Sequence, residues 1–215
     1  MRIALINEDS QADKNGLILE ALNEVAGKYG NTVDNYGMYT ESDSHLINYT
    51  QVGILASVIL ETGMADFVVT GCGTGQGAMI SCNAFKNVVC GYASTPLDAY
   101  LFSQINAGNA ISIPFAQQFG WGSEVNLRML FEHLFCQSFG GGYPRRFAQE
   151  EKISRVKMFT DIKYCSQKEV LDALTSLQQA DLKQLLDYTE FKDLFKKHAK
   201  EGEVTAFIKT LLALS

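Results

Sequence analysis

The chain has 215 residues, 47% of them hydrophobic and 20% charged, which fits one ordinary domain plus an appendage with enough apolar residues for a full core. Its net charge of −6 excludes a nucleic-acid partner and a polybasic membrane contact, since both need a basic stripe. No run reaches the ~18 apolar residues of a spanning helix, MRIALINEDS at the start does not read as a signal peptide, and five cysteines without a CxxC pair read as reduced thiols of a cytoplasmic protein, not as a disulfide scaffold or zinc site.

Residues 2–7 (RIALIN) form a short apolar run that reads as a buried strand. Over 14–29, Leu17, Leu19, Ala21, Leu22 and Val25 fall on a helical stripe. A weaker strand is expected at 31–38, then a strong helix over 46–63 closed by Gly63. A third strand covers 65–71, and a helix begins inside the loop behind it and runs to about Lys86. The fourth strand is read at 87–93. Thr95, Pro96 and Asp98 spell the start of the next helix, with a cap, a proline and a first-turn acid. The fifth strand spans 109–115, and an amphipathic helix follows over 122–139. Strands alternating with helices imply an α/β fold, a doubly wound, Rossmann-like sheet of five parallel strands between helical layers. This core is expected over residues 1–150, and 151–215 carries only helix signal, an extension that packs on the core or on a partner subunit.

The stretch DFVVTGCGTGQGAM (66–79) sets four glycines, a threonine and Cys72 directly behind an apolar run. In a doubly wound sheet ligands bind beyond the carboxyl ends of the strands, where the strand order reverses. With the order 2-1-3-4-5 that crevice lies between the first and third strands, so the loops after them bring Glu8 and Asp9 opposite Cys72 and Thr74. Amides at 73–77 can turn toward an anion because no side chains cover them, and the helix terminus behind them helps. The same field lowers the pKa of a thiol and makes Cys72 a better base or nucleophile. A dinucleotide fingerprint fails, since it normally follows the first strand and lacks its acid here. A Walker loop lacks its lysine, and the scattered His45, His133 and His198 do not make a metal site.

Cys72-Gly73-Thr74-Gly75-Gln76-Gly77 with Asn83 behind it, then Asn106 and Asn109, then GGGYPRR at 140–146 together resemble the type B ribose-5-phosphate isomerase family, which includes the galactose-6-phosphate isomerase subunits. The resemblance covers about residues 1–150. It implies an aldose–ketose isomerase that works through a cis-enediolate without metal or other cofactor. Cys72 is then the base between C1 and C2, and the amides of Gly73, Gly75 and Gly77 with the Thr74 hydroxyl hold the enediolate oxygen. The expected partner is a small-molecule sugar or sugar phosphate. The resemblance further implies a homodimer or homotetramer with shared active sites, Arg145 and Arg146 serving the neighbour's Cys72.

Several family positions depart from the pattern. The acid–histidine pair after the first strand becomes Glu8 and Asp9, and the ring-opening histidine falls on Ser94, where a helix-cap role is an adequate account. One arginine falls near Ala116, and in the C-terminal motif Gly142 and Tyr143 replace an arginine and a histidine. His45 stands where it could replace a lost acid–base group or simply cap a helix, with Tyr49 beside it as a weaker candidate; His133 and His198 read as structural or solvent-facing, and Trp121 as a core plug in preference to the lining of a sugar site. The proton-abstracting half of the site is therefore intact, with Cys72, Thr74, His45 and Glu8 as catalytic candidates. Asp9, Gly73, Gly75, Gly77, Asn83, Ser94, Arg145 and Arg146 are the substrate-binding candidates. A sugar phosphate of the ribose 5-phosphate type is the default substrate. An unsaturated uronate, whose single carboxylate needs fewer cations, is the alternative, and a non-catalytic sugar- or nucleotide-binding regulator is a further one.

Overall fold

The computed structural model describes residues 1–117, 119–144 and 149–214. Strands β1 (Arg2–Ile6), β2 (Thr32–Asn35), β3 (Phe67–Cys72), β4 (Cys90–Tyr92) and β5 (Ala110–Pro114) make one parallel sheet. The helices between them are α1 (Asn15–Lys28), α2 (Val52–Glu61), α3 (Gln76–Asn83) and α4 (Pro96–Leu101), and α5 (Ser123–Phe135) follows β5. All residues of β3 and β5 are buried, as expected for strands covered on both faces. The strand order is β2-β1-β3-β5-β4, not 2-1-3-4-5. The exchange follows from what each strand can bury. β5 is apolar enough for an interior position, whereas β4 has three residues, two of them half-exposed, and suits an edge. β1 and β3 remain neighbours, so the crevice between them survives the correction.

Two apolar layers cover the sheet. On one face Ile3, Leu5, Val69, Ile111 and Ile113 pack against α1 and α5 through Ile18, Leu22, Leu130 and Phe131. Ala21, Leu22 and Val25 are buried as expected, and Ile18 joins them, while Leu17 and Leu19 only border the core. On the other face α2 and α3 cover Ala4, Ile6 and Val68. Helix α2 starts at Val52, later than expected, because the Asn48 carboxamide oxygen accepts from the Thr50 and Gln51 amides and closes a turn ahead of it. Gly63 ends it in the left-handed region at φ 67°, the C-terminal stop anticipated from the sequence. Thr95 and Asp98 cap α4 reciprocally.

The chain then continues as α6 (Gln149–Ser166), α7 (Val170–Ser176), α8 (Gln179–Leu186), α9 (Thr189–His198) and α10 (Glu203–Leu211). Leu174, Leu186, Phe191, Phe195 and Ile208 belong to the same apolar cluster as Val58 and Ile59 of α2. The Tyr188 hydroxyl donates to the Tyr36 carbonyl at 2.6 Å, and the Lys200 amide donates to Thr62 at the end of α2 at 2.8 Å. Lys163, buried, donates to the carbonyls of Asn83 and Val88 and so caps the end of α3. The tail is therefore continuous with the core on the α2 side. Removing the fully buried Phe191 side chain leaves a cavity at this seam. Phe191→Ala is expected to cost about 3–5 kcal/mol in urea unfolding monitored by circular dichroism, with one cooperative transition; an unchanged midpoint would mean that the tail is not part of the core.

Candidate active site

Cys72 closes β3, is 6% exposed, and pairs in register with Pro114 of β5. The glycines around it do different work. A Cβ on Gly71 would stand 2.2 Å from the Ile113 carbonyl oxygen. Gly75 adopts φ 71°, and a Cβ there would meet the Ile113–Pro114 peptide at 2.9 Å. Gly77 lies under the Tyr49 ring, 2.7 Å from where its Cβ would be. These three glycines let the loop press onto β5 and let Tyr49 lie on the start of α3. The Ser112 hydroxyl fastens the loop from below by donating to the Gly75 carbonyl at 2.6 Å. Gly73 is different. Its φ is ordinary, and the nearest atoms to an added Cβ are the Gln11 amide nitrogen and the Ala116 methyl, both at 3.6 Å. Packing does not demand a glycine at 73, which leaves its open backbone facing the space between the β1 and β5 loops. The Gly73 and Thr74 amides have no acceptor among the described residues, and Thr74 is exposed. Two unpaired N–H groups beside the first turn of a helix are suited to a developing negative charge.

The β1 loop supplies the facing wall. Ile6 pairs with Thr70, so Glu8 and Cys72 each follow a matched pair at the same remove on adjacent strands. Asn7 is fully buried and shapes the turn: its side-chain amide donates to the Gln11 carbonyl at 2.7 Å, and its oxygen accepts from the Glu8 amide. Glu8 is 1% exposed and accepts from both the hydroxyl and the amide of Ser10. Burial, with Asp9 beside it, pushes its pKa up to about 7, because removal from water disfavours the charged form. Asp9, exposed, ties this loop to the next through its amide, which donates to the Ile47 carbonyl at 2.8 Å.

The remaining candidates spread out. His45 lines a separate cavity of about 470 Å³ between the 36–47 loop and the tail. Its ring stacks on Tyr188 at 4.1 Å and its Nε2–H donates to the Leu185 carbonyl at 2.8 Å; burial lowers its pKa and favours the neutral ring. Asn83 has both ends of its carboxamide on the backbone of Cys90 and so pins β4 to α3. It also lines the cavity of about 800 Å³ at the β4 edge, whose lining does not include Cys72. Asn109 clasps Val89 and Asn87 in a similar way. Ser94 bonds Asp98 through its amide and hydroxyl, within the cap of α4. Trp121 is not a core plug. Set between Gly120 and Gly122, it is wholly exposed, while Phe115 and not Trp121 is the buried aromatic directly after β5. His133 is exposed on α5, while His198 stands 3.3 Å from Asp34, 11% exposed. Arg145 and Arg146 lie outside the described residues.

The model of the family described as Ribose/Galactose Isomerase matches residues 3–158. The chain belongs to this isomerase family. It is a sugar isomerase built on the family's parallel five-stranded fold. No curated relative matches it. Among solved structures, a 4-deoxy-L-threo-5-hexosulose-uronate ketol-isomerase complexed with a tartrate is 44% identical over 100% of both chains, with a TM-score of 0.95. A ribose-5-phosphate isomerase from Vibrio parahaemolyticus is 43% identical over 99% of both chains, with a TM-score of 0.93. A type B ribose 5-phosphate isomerase from Trypanosoma cruzi is 16% identical and covers 77% of this chain and 99% of its own, with a TM-score of 0.63. That last likeness concerns the fold alone. The two closer isomerases also match across the tail.

Sequence reasoning missed Asn7, Ser10, Gln11 and Ser112, the residues that hold the two loops in place. The signal was present in Asn7, Ser10 and Gln11, a cluster of polar side chains at a strand end, where Asn and Ser favour local backbone bonds. The glycines give a direct test. Gly75→Ala is expected to lower stability by about 1–3 kcal/mol, whereas Gly73→Ala should leave the melting temperature within a degree or two and still cut turnover. Equal melting losses would contradict this division. Glu8 gives a test with a sign. A carboxyl whose folded pKa is raised from 4.5 to about 7 favours folding when protonated, so its contribution is present below pH 4.5 and is lost as pH rises through 7. Glu8→Gln should remove that slope and raise the melting temperature above wild type at pH 8.

Proposed function

We propose that this isomerase interconverts an open-chain 2-hydroxy aldehyde and its ketose by moving one proton with Cys72 and another with Glu8, and that its substrate is a non-phosphorylated uronate. The observation that carries the acid–base part of the reading is the buried Glu8 carboxyl in the loop after β1, the strand beside the one that ends in Cys72, because a group with a pKa of about 7 can both give and take a proton at neutral pH.

The thiolate of Cys72 removes the proton on C2 of the aldose. The electron pair moves into the C1–C2 bond as the carbonyl π electrons move onto O1, and the resulting enediolate oxygen is held by the Gly73 and Thr74 amides. Cys72 then returns the proton to C1. Glu8 carries the hydroxyl proton from O2 to O1, and its hydrogen bonds to Ser10 keep the carboxyl in one place during both transfers. No oxidant or reductant is consumed, since the hydrogen lost at C2 is gained at C1.

The uronate reading is supported by the 44% identical ketol-isomerase that matches over its whole length, and by Ala116, which offers no charge on the β5 side of Gly73. The 43% identical ribose-5-phosphate isomerase favours the second reading, a sugar phosphate. In either case we place the enzyme in the cytoplasm as a homodimer or homotetramer with shared sites. Cys72→Ala is expected to lower kcat by about 10²–10⁴-fold while leaving sugar binding measurable by calorimetry. A comparison of initial rates on an unsaturated uronate and on ribose 5-phosphate decides the substrate: turnover of the phosphate alone would overturn the uronate assignment.

A further inference from the structure

The β1 loop carries a cation that none of the roles above uses. Gln11, 6% exposed, reaches over the glycine loop: its amide nitrogen is 3.6 Å from where a Gly73 Cβ would stand. Two bonds to Ser10, 2.6 Å to its carbonyl and 3.0 Å to its hydroxyl, fix that nitrogen. On the far side the Gln11 carboxamide oxygen accepts from Lys14 Nζ at 2.7 Å. Lys14 keeps only 18% of its side chain exposed, and its ammonium lies 5.5 Å from the centroid of Phe119, in the loop after β5. The only acid bonded to it among the described residues is Asp13, at 3.2 Å and 45% exposed. Lys14 is therefore a half-buried cation spanning the mouths of the β1 and β5 loops, aligned by Gln11 with the backbone that faces the reacting carbons.

We infer that Lys14, aligned by Gln11, grips the carboxylate at the far end of the sugar and sets the enzyme's preference for a singly charged acid. The inference rests on the uronate reading. An ammonium is a compact point charge with three donors. One donor is spent on Gln11, one on Asp13, and the third can meet a carboxylate oxygen once the reacting end sits at Gly73. Asp13, exposed on the rim, keeps its own donor and offsets part of the positive charge that the carboxylate meets. Ala116 presents only a methyl group on the β5 side of Gly73. Gln11 is a positioning residue here, since it acts through Lys14, whereas Lys14 decides specificity by touching the substrate.

The test uses the full-length enzyme with Lys14→Met, which keeps the aliphatic stem beside Phe119, and Lys14→Arg, which restores the charge. With an unsaturated uronate, K14M is expected to raise KM by about tenfold or more, the loss typical of one bond to a charged group, with kcat within threefold and recovery in K14R. Against a neutral open-chain aldose the kcat/KM of K14M should equal that of wild type. Asp13→Asn should lower the uronate KM. Calorimetric titration with tartrate gives a readout apart from turnover: wild type should bind it and K14M should bind at least tenfold more weakly. Equal tartrate affinity in wild type and K14M, or an equal loss on charged and neutral sugars, overturns the assignment of Lys14. A wild-type enzyme inactive on every uronate but with Lys14-dependent tartrate binding overturns the substrate reading alone and upholds the grip.

Discussion

The site depends on one close approach. The backbone at Gly71 and Gly75 comes so near to β5 that a methyl group would collide with the Ile113 carbonyl or the Ile113–Pro114 peptide. The Ser112 hydroxyl adds a buried bond from β5 to the Gly75 carbonyl. Protein interiors do not yield easily to such collisions, so the loop has essentially one position. That position leaves Cys72 at the end of β3, next to β1, and the Gly73 and Thr74 amides without acceptors among the described residues. A thiol placed among glycines is the consequence: the same absence of side chains that lets the loop sit tightly also leaves its amides uncovered.

The opposite wall is held by polar contacts. Asn7 is buried without charge and satisfies two backbone groups of its own turn, which is how a strand end can turn sharply inside a core. Glu8 is brought in at a cost, since a carboxyl removed from water resists ionisation. The Ser10 hydroxyl and amide offset part of that cost and leave the group titrating near neutrality instead of far above it. The raised pKa of about 7 arises from burial and the neighbouring Asp9, opposed by the two hydrogen bonds from Ser10.

The sequence made some parts of this legible and hid others, for physical reasons. The apolar runs of β1, β3 and β5, the Gly63 stop and the Thr95–Asp98 cap are local signals, each written within a few residues. The glycine loop stood out because its composition is uneconomical for a simple turn, and the close approaches of Gly71 and Gly75 to β5 are what it serves. Strand order did not, since β4 and β5 are both short apolar segments and only the competition for buried positions puts β5 inside. His45 could be placed after β2, but its engagement by Leu185 and Tyr188 is a contact between segments about 140 residues apart, beyond any periodicity. Trp121 misled by its chemistry. A large apolar side chain is ordinarily interior, but this one stands in the open between two glycines.

The five trailing helices change how the molecule can move. Tyr188 bonds the end of β2 and stacks on His45, and the 37–47 segment in turn receives the amides of Asn7 and Asp9. That chain of contacts makes the rim of the crevice a cooperative unit with the tail: the rim cannot swing outward unless α8 and α9 lift from the apolar layer they share with α2. Displacing the 37–47 segment therefore means breaking the contacts that Tyr188 and Leu185 make across about 140 residues of sequence.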